Sequence, residues 1–441
     1  MKLLKNLYDE LLYPYRLNKF YNFDTYRIYT ELLLSQYKSL ADIMIDQELN
    51  LNTILQSALN NNKYYSDIFT IKKDIKLDQL KDLPCLTKAD ILNNFNNIYS
   101  KYSAKEFEHI TSGSTGQPLK IISSNLSEAH RAAQRLRFYS WWDIKPSDAN
   151  VLVWGKMETD TKPNNSLLKR FGLPFKEQSF IINVFELNTS SIKYYYNQIL
   201  KIKPKYIRGY TSAIFQFANL LEQCKLNGVK LGLKVAITTS EILLSHQKNY
   251  IEKILNVRVA DEYGAAEIGL FAYDCPEGGK HICEELLYIF TNEENEVITT
   301  DLHNYSMPLI NYKIGDKIYI SDKPCKCGRS SRIIERIEGR TGDNILTENG
   351  EYLSQYLFYY AVKELDKLGL SNSILQYKVM QDNMVFEFII VKGNNFTDKV
   401  ENYLHKRMID KIGKNITVNF RYVDEIPKEK SGKIRFFQRI N

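Results

Sequence analysis

The chain has 441 residues, enough for two or three domains with substantial buried cores. Apolar residues make up 44% and charged residues 25%, the net charge is +7, and no basic block of the kind that binds nucleic acid is present. No apolar run approaches the roughly 20 residues of a membrane span. The N-terminal segment lacks the pattern of a signal peptide, so we expect a cytoplasmic protein with neither an integral membrane segment nor a nucleic-acid partner.

The first hundred residues are predicted to be mostly helical, because apolar residues recur at steps of three and four positions. Thr87 is predicted to cap the last helix of this region. From about residue 105, short apolar segments alternate with helical stretches, and strands are predicted at 149–155, 206–210 and 234–241. The helix that follows 206–210 is expected to end at Gly228, a C-cap glycine. This alternation predicts an α/β fold whose largely parallel sheet binds ligands at the carboxyl ends of its strands.

The pattern changes twice more toward the C-terminus. Residues 284–320 have the alternation of antiparallel strands, and after residue 343 a hairpin, a helix, two strands, a helix and a strand follow within about 100 residues. We therefore predict a large domain at 1–338, with a helical part at about 1–100, an α/β core and a β portion at about 284–335. A hinge at 339–343 would join it to a small, mobile α+β domain at 344–441.

The segment HITSGSTGQPLKI, residues 109–121, concentrates glycine and hydroxyl residues ahead of a lysine. Small residues let a backbone turn sharply, and successive free N–H groups can form a nest that binds anions. The segment thus predicts a phosphate-holding loop, with an ordinary surface turn as the alternative. Its glycine spacing does not fit the P-loop of kinase-like nucleotide folds.

Three further motifs are weak when taken singly. DEYGAAEIG (261–269) offers a tyrosine to stack on a base and a glutamate for magnesium, or is a strand-ending turn. INYKIGD (310–316) offers an aspartate for two ribose hydroxyls, or is a β-turn. EIPKEKSGKIRFF (425–437) offers a mobile lysine that can neutralise a developing charge, or is a solvated basic tail.

Together, and in this order, the four motifs resemble those of the adenylate-forming superfamily of acyl-CoA synthetases. The matching segments are TSGSTGQP, EYGAAE, KIGD and PKEKSGK. The long helical start resembles the phenylacetate–CoA ligase branch, especially the CapK-type members of capsular-polysaccharide gene clusters. The resemblance covers nearly the whole chain and implies an AMP-forming ligase that uses ATP and Mg²⁺.

The resemblance also implies residue roles. The catalytic residues would be Lys433, Glu267 and Thr115, with Lys433 bridging the acyl carboxylate and the α-phosphate and Glu267 binding magnesium. The β- and γ-phosphates of ATP would be held by Ser112, Gly113, Ser114, Thr115, Gly116 and Lys120. The rest of the nucleotide site would comprise Ser240, Glu241, Glu262, Tyr263, Gly264, Asp316 at the ribose, and Arg340.

The acyl pocket is expected around residues 154–160, 207–213 and 264–269, with Trp154, Lys156, Arg208, Tyr210 and Ala265 as substrate-binding residues. Because Lys156 and Arg208 are more polar than a phenyl pocket needs, we expect a polar or amino-bearing acid.

The acyl group would pass from the adenylate to a thiol, that of coenzyme A, as the resemblance implies. Relatives usually have Gly-Arg-x-Asp at the hinge, whereas residues 339–343 read Gly-Arg-Thr-Gly-Asp. This departure keeps open an amine or hydroxyl acceptor in surface-polysaccharide biosynthesis. A non-catalytic nucleotide-binding homologue and a homodimer also stay open.

The cysteines favour a metal site over disulfides, which are rare in the cytoplasm. Three thiolates and one imidazole suit a structural zinc ion, and the resemblance to phenylacetate–CoA ligase-like proteins points to Cys275, His281, Cys325 and Cys327 as its ligands. Cys283 competes with His281 as a ligand, and the alternative is a set of reduced, buried thiols.

Overall fold

The computed structural model describes residues 2–71, 74–110, 119–155, 179–321, 323–340, 345–350, 352–353, 356–370, 373–427 and 435–440. Its N-terminal region is helical, as predicted, with α1 (Lys2–Leu7) running through a π-helical segment, Tyr8–Leu12, into α2 (Tyr13–Tyr21). There follow α3 (Thr25–Ser35), α4 (Leu40–Asn61), α5 (Lys63–Ile68), a 3-10 turn (Leu77–Asp82) and α6 (Lys88–Ile98). Among the described residues, no helix combines the length and the apolar character that crossing a membrane requires.

Thr87 caps α6, as predicted. Its Oγ1 accepts from the Asp90 backbone N–H at 3.2 Å, while Asp90 Oδ2 accepts from the Thr87 N–H at 2.8 Å. This reciprocal pair satisfies two N–H groups at the start of the helix.

A two-stranded hairpin, β1 (Glu106–Ile110) and β2 (Lys120–Ser124), brackets the glycine-rich loop and leads into α7 (Asn125–Trp141). The central sheet begins with β3 (Asn150–Trp154) and β4 (Ser179–Asn183). It continues through α8 (Ile192–Ile202), β5 (Tyr206–Tyr210), α9 (Thr211–Gln223), β6 (Val235–Thr239), α10 (Ser245–Leu255) and β7 (Arg258–Ala265). The strands predicted at 149–155, 206–210 and 234–241 are thus confirmed.

The predicted C-cap role of Gly228 is wrong. Helix α9 ends at Gln223, where Lys225 takes the left-handed conformation with φ 54° and the Leu226 N–H bonds the Leu221 carbonyl at 2.8 Å. Gly228 instead opens a 3-10 turn, Gly228–Leu231. A Cβ there would lie 2.4 Å from the Ile254 carbonyl oxygen, so close packing against the end of α10 accounts for this glycine.

The antiparallel portion extends the same sheet. It comprises β8 (Gly269–Asp274), β9 (Lys280–Ile282), β10 (Leu287–Thr291), β11 (Glu296–Asp301), β12 (Tyr312–Ser321) and β13 (Ile333–Arg340). The strand order is β10-β11-β12-β13-β9-β8-β7-β6-β5-β3-β4, with parallel pairing from β4 to β7 and antiparallel pairing from β7 to β10. The expected largely parallel sheet is therefore mixed, because β7 turns back into β8 within three residues.

The C-terminal part has its own apolar core. It contains β14 (Ile345–Leu346), β15 (Tyr352–Leu353), α11 (Tyr356–Lys367), β16 (Ile374–Asp382), β17 (Val385–Lys392), α12 (Asp398–Ile412), β18 (Thr417–Tyr422) and β19 (Phe437–Arg439). Strands β18-β17-β16-β19 form a sheet, and the core is built around Phe358, Phe386, Phe388 and Phe437. This is the α+β module predicted beyond residue 343.

Candidate active site and metal centre

The carboxyl ends of the parallel strands carry most of the described candidate residues. Tyr210, Thr239 and Glu262 are register partners on β5, β6 and β7, so their side chains share one face of the sheet. Tyr263 follows Glu262, and Glu267 lies in the short turn between β7 and β8.

The predicted adenine and ribose residues are in direct contact. The Tyr263 hydroxyl donates to Asp316 Oδ2 at 2.8 Å, and its ring meets Phe271 edge to face with centroids 4.8 Å apart. Asp316 pairs with Arg340 across the β12–β13 ladder. The backbone of Arg340 therefore lies beside the ribose candidate.

Glu267, the magnesium candidate, is buried in the turn that follows the strand of Tyr263. Its Oε1 lies 3.5 Å from the Tyr312 hydroxyl. The turn that carries it needs Gly264, because a Cβ there would lie 2.3 Å from the Gly269 carbonyl oxygen. Ala265, a substrate-pocket candidate, pairs with Gly269 across the same turn.

Arg131 on α7 connects the β1–β2 hairpin to the turn between β7 and β8 that carries Glu267. Its Nη1 donates to Ser123 Oγ of β2 at 3.1 Å and to Glu128 Oε1 at 2.9 Å. Its Nη2 donates to the buried Asp301 Oδ2 at 3.1 Å and reaches the Glu267 carbonyl oxygen at 3.4 Å.

Glu128 also connects the hairpin to α7, since its Oε1 lies 2.9 Å from His109 Nε2 on β1. Burial alone would raise the pKa of Glu128. The hydrogen bond to His109 and the charge of Arg131 outweigh burial and lower this pKa to about 2.

Ser240 and Glu241 lie in the loop after β6. Ser240 has a left-handed backbone with φ 67°. The Glu241 carboxylate accepts hydrogen bonds from the Ser212 backbone N–H at 2.7 Å and from Ser212 Oγ at 3.0 Å. It thereby satisfies one of the backbone N–H groups at the start of α9 that lack a partner within the helix.

The acyl-pocket candidates cluster around Arg208. Its Nε and Nη2 donate to Glu262 Oε2 at 3.0 and 2.7 Å, and the guanidinium lies 5.8 Å from the Trp154 ring. The Trp154 and Tyr210 rings are 4.1 Å apart. Burial alone would lower the pKa of Arg208, but the Glu262 carboxylate outweighs it and raises this pKa, so the guanidinium stays charged.

Lys120 begins β2 and forms an ion pair with Glu108 across the hairpin, with 2.6 Å between Nζ and Oε2. The side chain of Arg340 is not described. Seven further candidates lie outside the described residues: Ser112, Gly113, Ser114, Thr115, Gly116, Lys156 and Lys433.

The four predicted zinc ligands converge. Their ligand atoms, from Cys275, His281, Cys325 and Cys327, all lie within 4.8 Å of one another. Both cysteine turns close in the same way, with the Gly278 N–H bonding the Cys275 carbonyl at 2.9 Å and the Gly328 N–H bonding the Cys325 carbonyl at 3.1 Å.

The surroundings of this cluster suit zinc. His281 Nδ1 lies 3.0 Å from Ser331 Oγ, which leaves Nε2 facing the thiols, with Cys327 Sγ at 3.2 Å. Burial lowers the pKa of His281 to about 4, so the imidazole is neutral at pH 7, as a metal ligand must be. A Cβ on Gly279 would lie 2.9 Å from Cys325 Sγ and 3.2 Å from His281 Nε2.

Cys283, the competing ligand, lies elsewhere. It is buried in the main core beside Arg137, and burial raises the pKa of its thiol to about 12. Among the described residues, the metal-ligand set therefore contains His281 and not Cys283.

A buried cluster of ion pairs connects β7 to the β8–β9 hairpin, which carries Cys275 and His281. Lys280, next to His281, donates to Asp261 Oδ2 at 2.8 Å and lies 2.9 Å from Asp274 Oδ1. Asp274 Oδ2 in turn accepts from the Asp261 backbone N–H at 3.1 Å. Asp261 and Asp274 therefore join β7, the strand that carries Tyr263, to β8, the strand that ends next to Cys275.

Similarity to known proteins extends over most of the chain. Residues 345–439 match the family described as the CapK C-terminal domain. The chain is 24% identical over 396 residues to protein CapK of Staphylococcus aureus, an alignment that covers 85% of this chain and 84% of CapK.

Solved structures of 2-hydroxyisobutyryl-CoA ligase have the same fold. In the postadenylation state with 2-HIB-AMP, that ligase superposes with a TM-score of 0.72 at 16% identity, over 92% of this chain and 91% of that one. With 2-HIB-AMP and CoA in the thioesterification state, the TM-score is 0.59 at 16% identity, over 92% and 91% of the two chains. This chain therefore has the fold of that adenylate-forming ligase, and residues 345–439 are similar to the CapK C-terminal domain.

Two features of this adenylate-forming ligase fold were not predicted from the sequence. One is the position of Arg131 between the hairpin, Asp301 and Glu267. The other is the pairing of Arg208 with Glu262, which were assigned separately to the acyl pocket and to the nucleotide. Their separation of 54 residues gives no local signal, and only the strand register brings them together.

Proposed function

We propose that this chain is an AMP-forming ligase that activates a carboxylic acid with ATP. The observation that carries the proposal is the hydrogen bond between Tyr263 and Asp316, with Glu267 in the turn that follows Tyr263 and in contact with Tyr312 on the strand of Asp316. An aromatic ring for the base, a carboxylate for the ribose and a carboxylate for magnesium are the groups that this reaction needs in one place.

In the first half-reaction, a carboxylate oxygen of the acid forms a bond to the α-phosphorus. The bond to the β-phosphate oxygen breaks, and pyrophosphate leaves. Tyr263 and Asp316 orient the nucleoside, the 109–121 loop with Lys120 holds the phosphates, and Lys433 approaches the reacting carboxylate. Glu267 would hold Mg²⁺, which when bound supplies neutralisation of the phosphate charges.

In the second half-reaction, a thiol sulfur attacks the acyl carbon and AMP leaves. We assign coenzyme A as the thiol, and since ATP and coenzyme A are cytoplasmic metabolites, we place the reaction in the cytoplasm. The second candidate is transfer to an amine or hydroxyl in surface-polysaccharide biosynthesis. It is supported by the similarity to CapK and by the Gly-Arg-Thr-Gly-Asp sequence at residues 339–343.

We also propose that Cys275, His281, Cys325 and Cys327 bind one structural zinc ion. Four protein ligands leave no open position for catalysis. The ion would hold the β8–β9 hairpin against residues 325–327, next to the strand that leads to Tyr263.

Pyrophosphate release with ATP, Mg²⁺ and a panel of carboxylic acids, with and without coenzyme A, tests the function. We expect release that requires an acid and is lost in Lys433→Ala, while the control Lys399→Ala, on the exposed face of α12, retains it. Turnover that depends on coenzyme A supports the thiol acceptor, whereas a stalled adenylate supports the second candidate. Release that is equal in both variants would overturn the proposal.

A further inference from the structure

The guanidinium of Arg208 is hydrogen-bonded to Glu262 through only two of its three nitrogens. Its Nε and Nη2 both bond Glu262 Oε2, at 3.0 and 2.7 Å. Its Nη1 makes no hydrogen bond to any residue that the structure describes. The Arg208 side chain is 19% exposed, whereas that of Glu262 is fully buried. Glu262 therefore fixes the orientation of a guanidinium whose Nη1 has no hydrogen-bond partner among the described residues.

Two oxygens on the same face of the sheet as this guanidinium have no hydrogen-bond partner among the described residues. Glu262 Oε1 and Thr239 Oγ1 are both buried, and neither hydrogen-bonds within the described structure. Thr239 lies between Tyr210 and Glu262 in the strand register, so both oxygens are on the face that carries Arg208. An unsatisfied buried oxygen is destabilising, so two on neighbouring strands indicate that a ligand group completes them.

The charges around these atoms restrict what that group can be. A second carboxylate on the acid would be repelled by Glu262 Oε1, and a protonated amine would be repelled by the Arg208 guanidinium. A neutral hydroxyl suits both neighbours, because it donates one hydrogen bond and accepts others. Trp154 and Tyr210, with rings 4.1 Å apart, supply an aromatic surface beside it for the carbon chain.

We propose that the acyl pocket selects acids that carry a neutral hydroxyl group, which donates to Glu262 Oε1 and accepts from Arg208 Nη1. Thr239 Oγ1 supplies one more hydrogen-bonding oxygen on the same face of the sheet. This inference rests on the proposed adenylation and narrows the expected polar or amino-bearing acid to a hydroxy acid. It also moves Glu262 from the nucleotide to the acyl pocket, as the residue that positions Arg208.

The test compares matched acids in the pyrophosphate-release assay. Each set of acids shares one carbon skeleton, which is C4, C6 or benzoate. Within a set, the acids differ at one position of the skeleton, which carries hydrogen, a hydroxyl, an amino group or a second carboxylate, and every position is tested in turn. We expect at least one hydroxy acid to exceed its hydrogen counterpart by about tenfold or more in kcat/KM, because a site built around a hydroxyl rejects analogues that lack it.

Two variants then assign that preference to these atoms. Thr239→Val removes one hydroxyl at constant shape, and Glu262→Gln keeps the size of the side chain while removing its charge. Both should reduce the hydroxy-to-hydrogen ratio about fivefold or more, with ATP affinity by calorimetry unchanged. Glu222→Gln, in a solvent-facing pair with Tyr250, is the matched control and should keep the ratio.

The outcomes separate the two proposals. Acid-dependent release with no preference for hydroxy acids, or with a preference that neither variant changes, would overturn this inference and leave the adenylation intact. A preference for the amino or dicarboxylic acids would also overturn it. Absence of release with every acid would overturn the proposed function and this inference with it.

Discussion

The hydroxyl of Tyr263 donates a 2.8 Å hydrogen bond to Asp316, a residue 53 positions further along the chain. The two side chains come from β7 and β12, strands separated by three others in the sheet. A single contact therefore links the residue proposed for the base to the residue proposed for the ribose.

Removal of this contact should weaken nucleotide binding. We expect Tyr263→Phe to reduce ATP affinity about fivefold, a change of about 1 kcal/mol, because Asp316 loses a donor that fixes the position of its carboxylate. Isothermal titration calorimetry measures the change. Tyr250→Phe is the control, since Tyr250 also donates to a carboxylate, Glu222 at 2.7 Å, on an exposed surface. Equal affinities for the two variants would contradict the prediction.

Arg131 should be essential for stability. Arg131→Ala removes the cation beside Asp301, whose side chain is fully buried, and we expect a loss of about 3–5 kcal/mol in the free energy of unfolding. Urea denaturation followed by circular dichroism measures it. Arg27→Ala, which breaks an exposed pair with Glu31 on α3, should cost less than about 1 kcal/mol. Similar losses for both variants would show that the Arg131 contacts are not stabilising.

The Glu128 carboxylate should make stability depend on acidity. Its pKa is lowered from 4.5 to about 2 in the folded protein, so its contribution is present above pH 4.5 and disappears as the pH falls toward 2. Near pH 7 we expect Glu128→Gln to be less stable than wild type by about 3 kcal/mol.

Unfolding free energies measured from pH 7 to pH 3 test this prediction. The gap between wild type and Glu128→Gln should narrow below about pH 4.5, as the unfolded chain takes up the proton. The control is Glu31→Gln, at an exposed position on α3. A gap that stays constant with pH would mean that Glu128 acts through its shape and not its charge.

The absence of a side chain at Gly279 should be needed for zinc binding by the four predicted ligands. We expect Gly279→Ala and Cys327→Ser to lower the bound zinc from about one ion per chain and to reduce the melting temperature. In the first variant, the added Cβ would lie 2.9 Å from Cys325 Sγ. Elemental analysis of the purified protein measures zinc. Cys224→Ser, outside the cluster, should retain it. Protein that contains no zinc in wild-type form would favour reduced thiols.

The sequence was most informative where structure is set locally. Helix α10, among the helical stretches that alternate with the predicted strands, and helix α12, in the predicted α+β module, confirm the expected order of elements, because apolar spacing is a local signal. The convergence of Cys275, His281, Cys325 and Cys327 agrees with the set of residues named from the sequence, although Cys275 and Cys325 lie 50 residues apart, since cysteine and histidine are few and their chemistry is restrictive.

Features that depend on strand register could not be predicted. Arg208 and Glu262 each appeared as an isolated charge, and their pairing requires knowing that β6 separates β5 from β7. Arg131 lay within an unremarked helix, and its contacts with Ser123, Asp301 and Glu267 come from three separate elements. Gly228 was misassigned because a glycine required by tertiary contact has the same sequence signal as a glycine that ends a helix.

The pairing of Asp316 with Arg340 has a mechanical consequence. Strand β13 ends at Arg340, and the chain then passes to the C-terminal domain, whose core begins at Ile345. Asp316, the residue proposed for the ribose, and the last described residue before that domain are thus partners in one hydrogen-bonded ladder. Displacement by rotation grows with distance from the pivot. A tilt of a few degrees at Arg340 would therefore shift the far strands of the C-terminal domain by far more than it shifts Asp316.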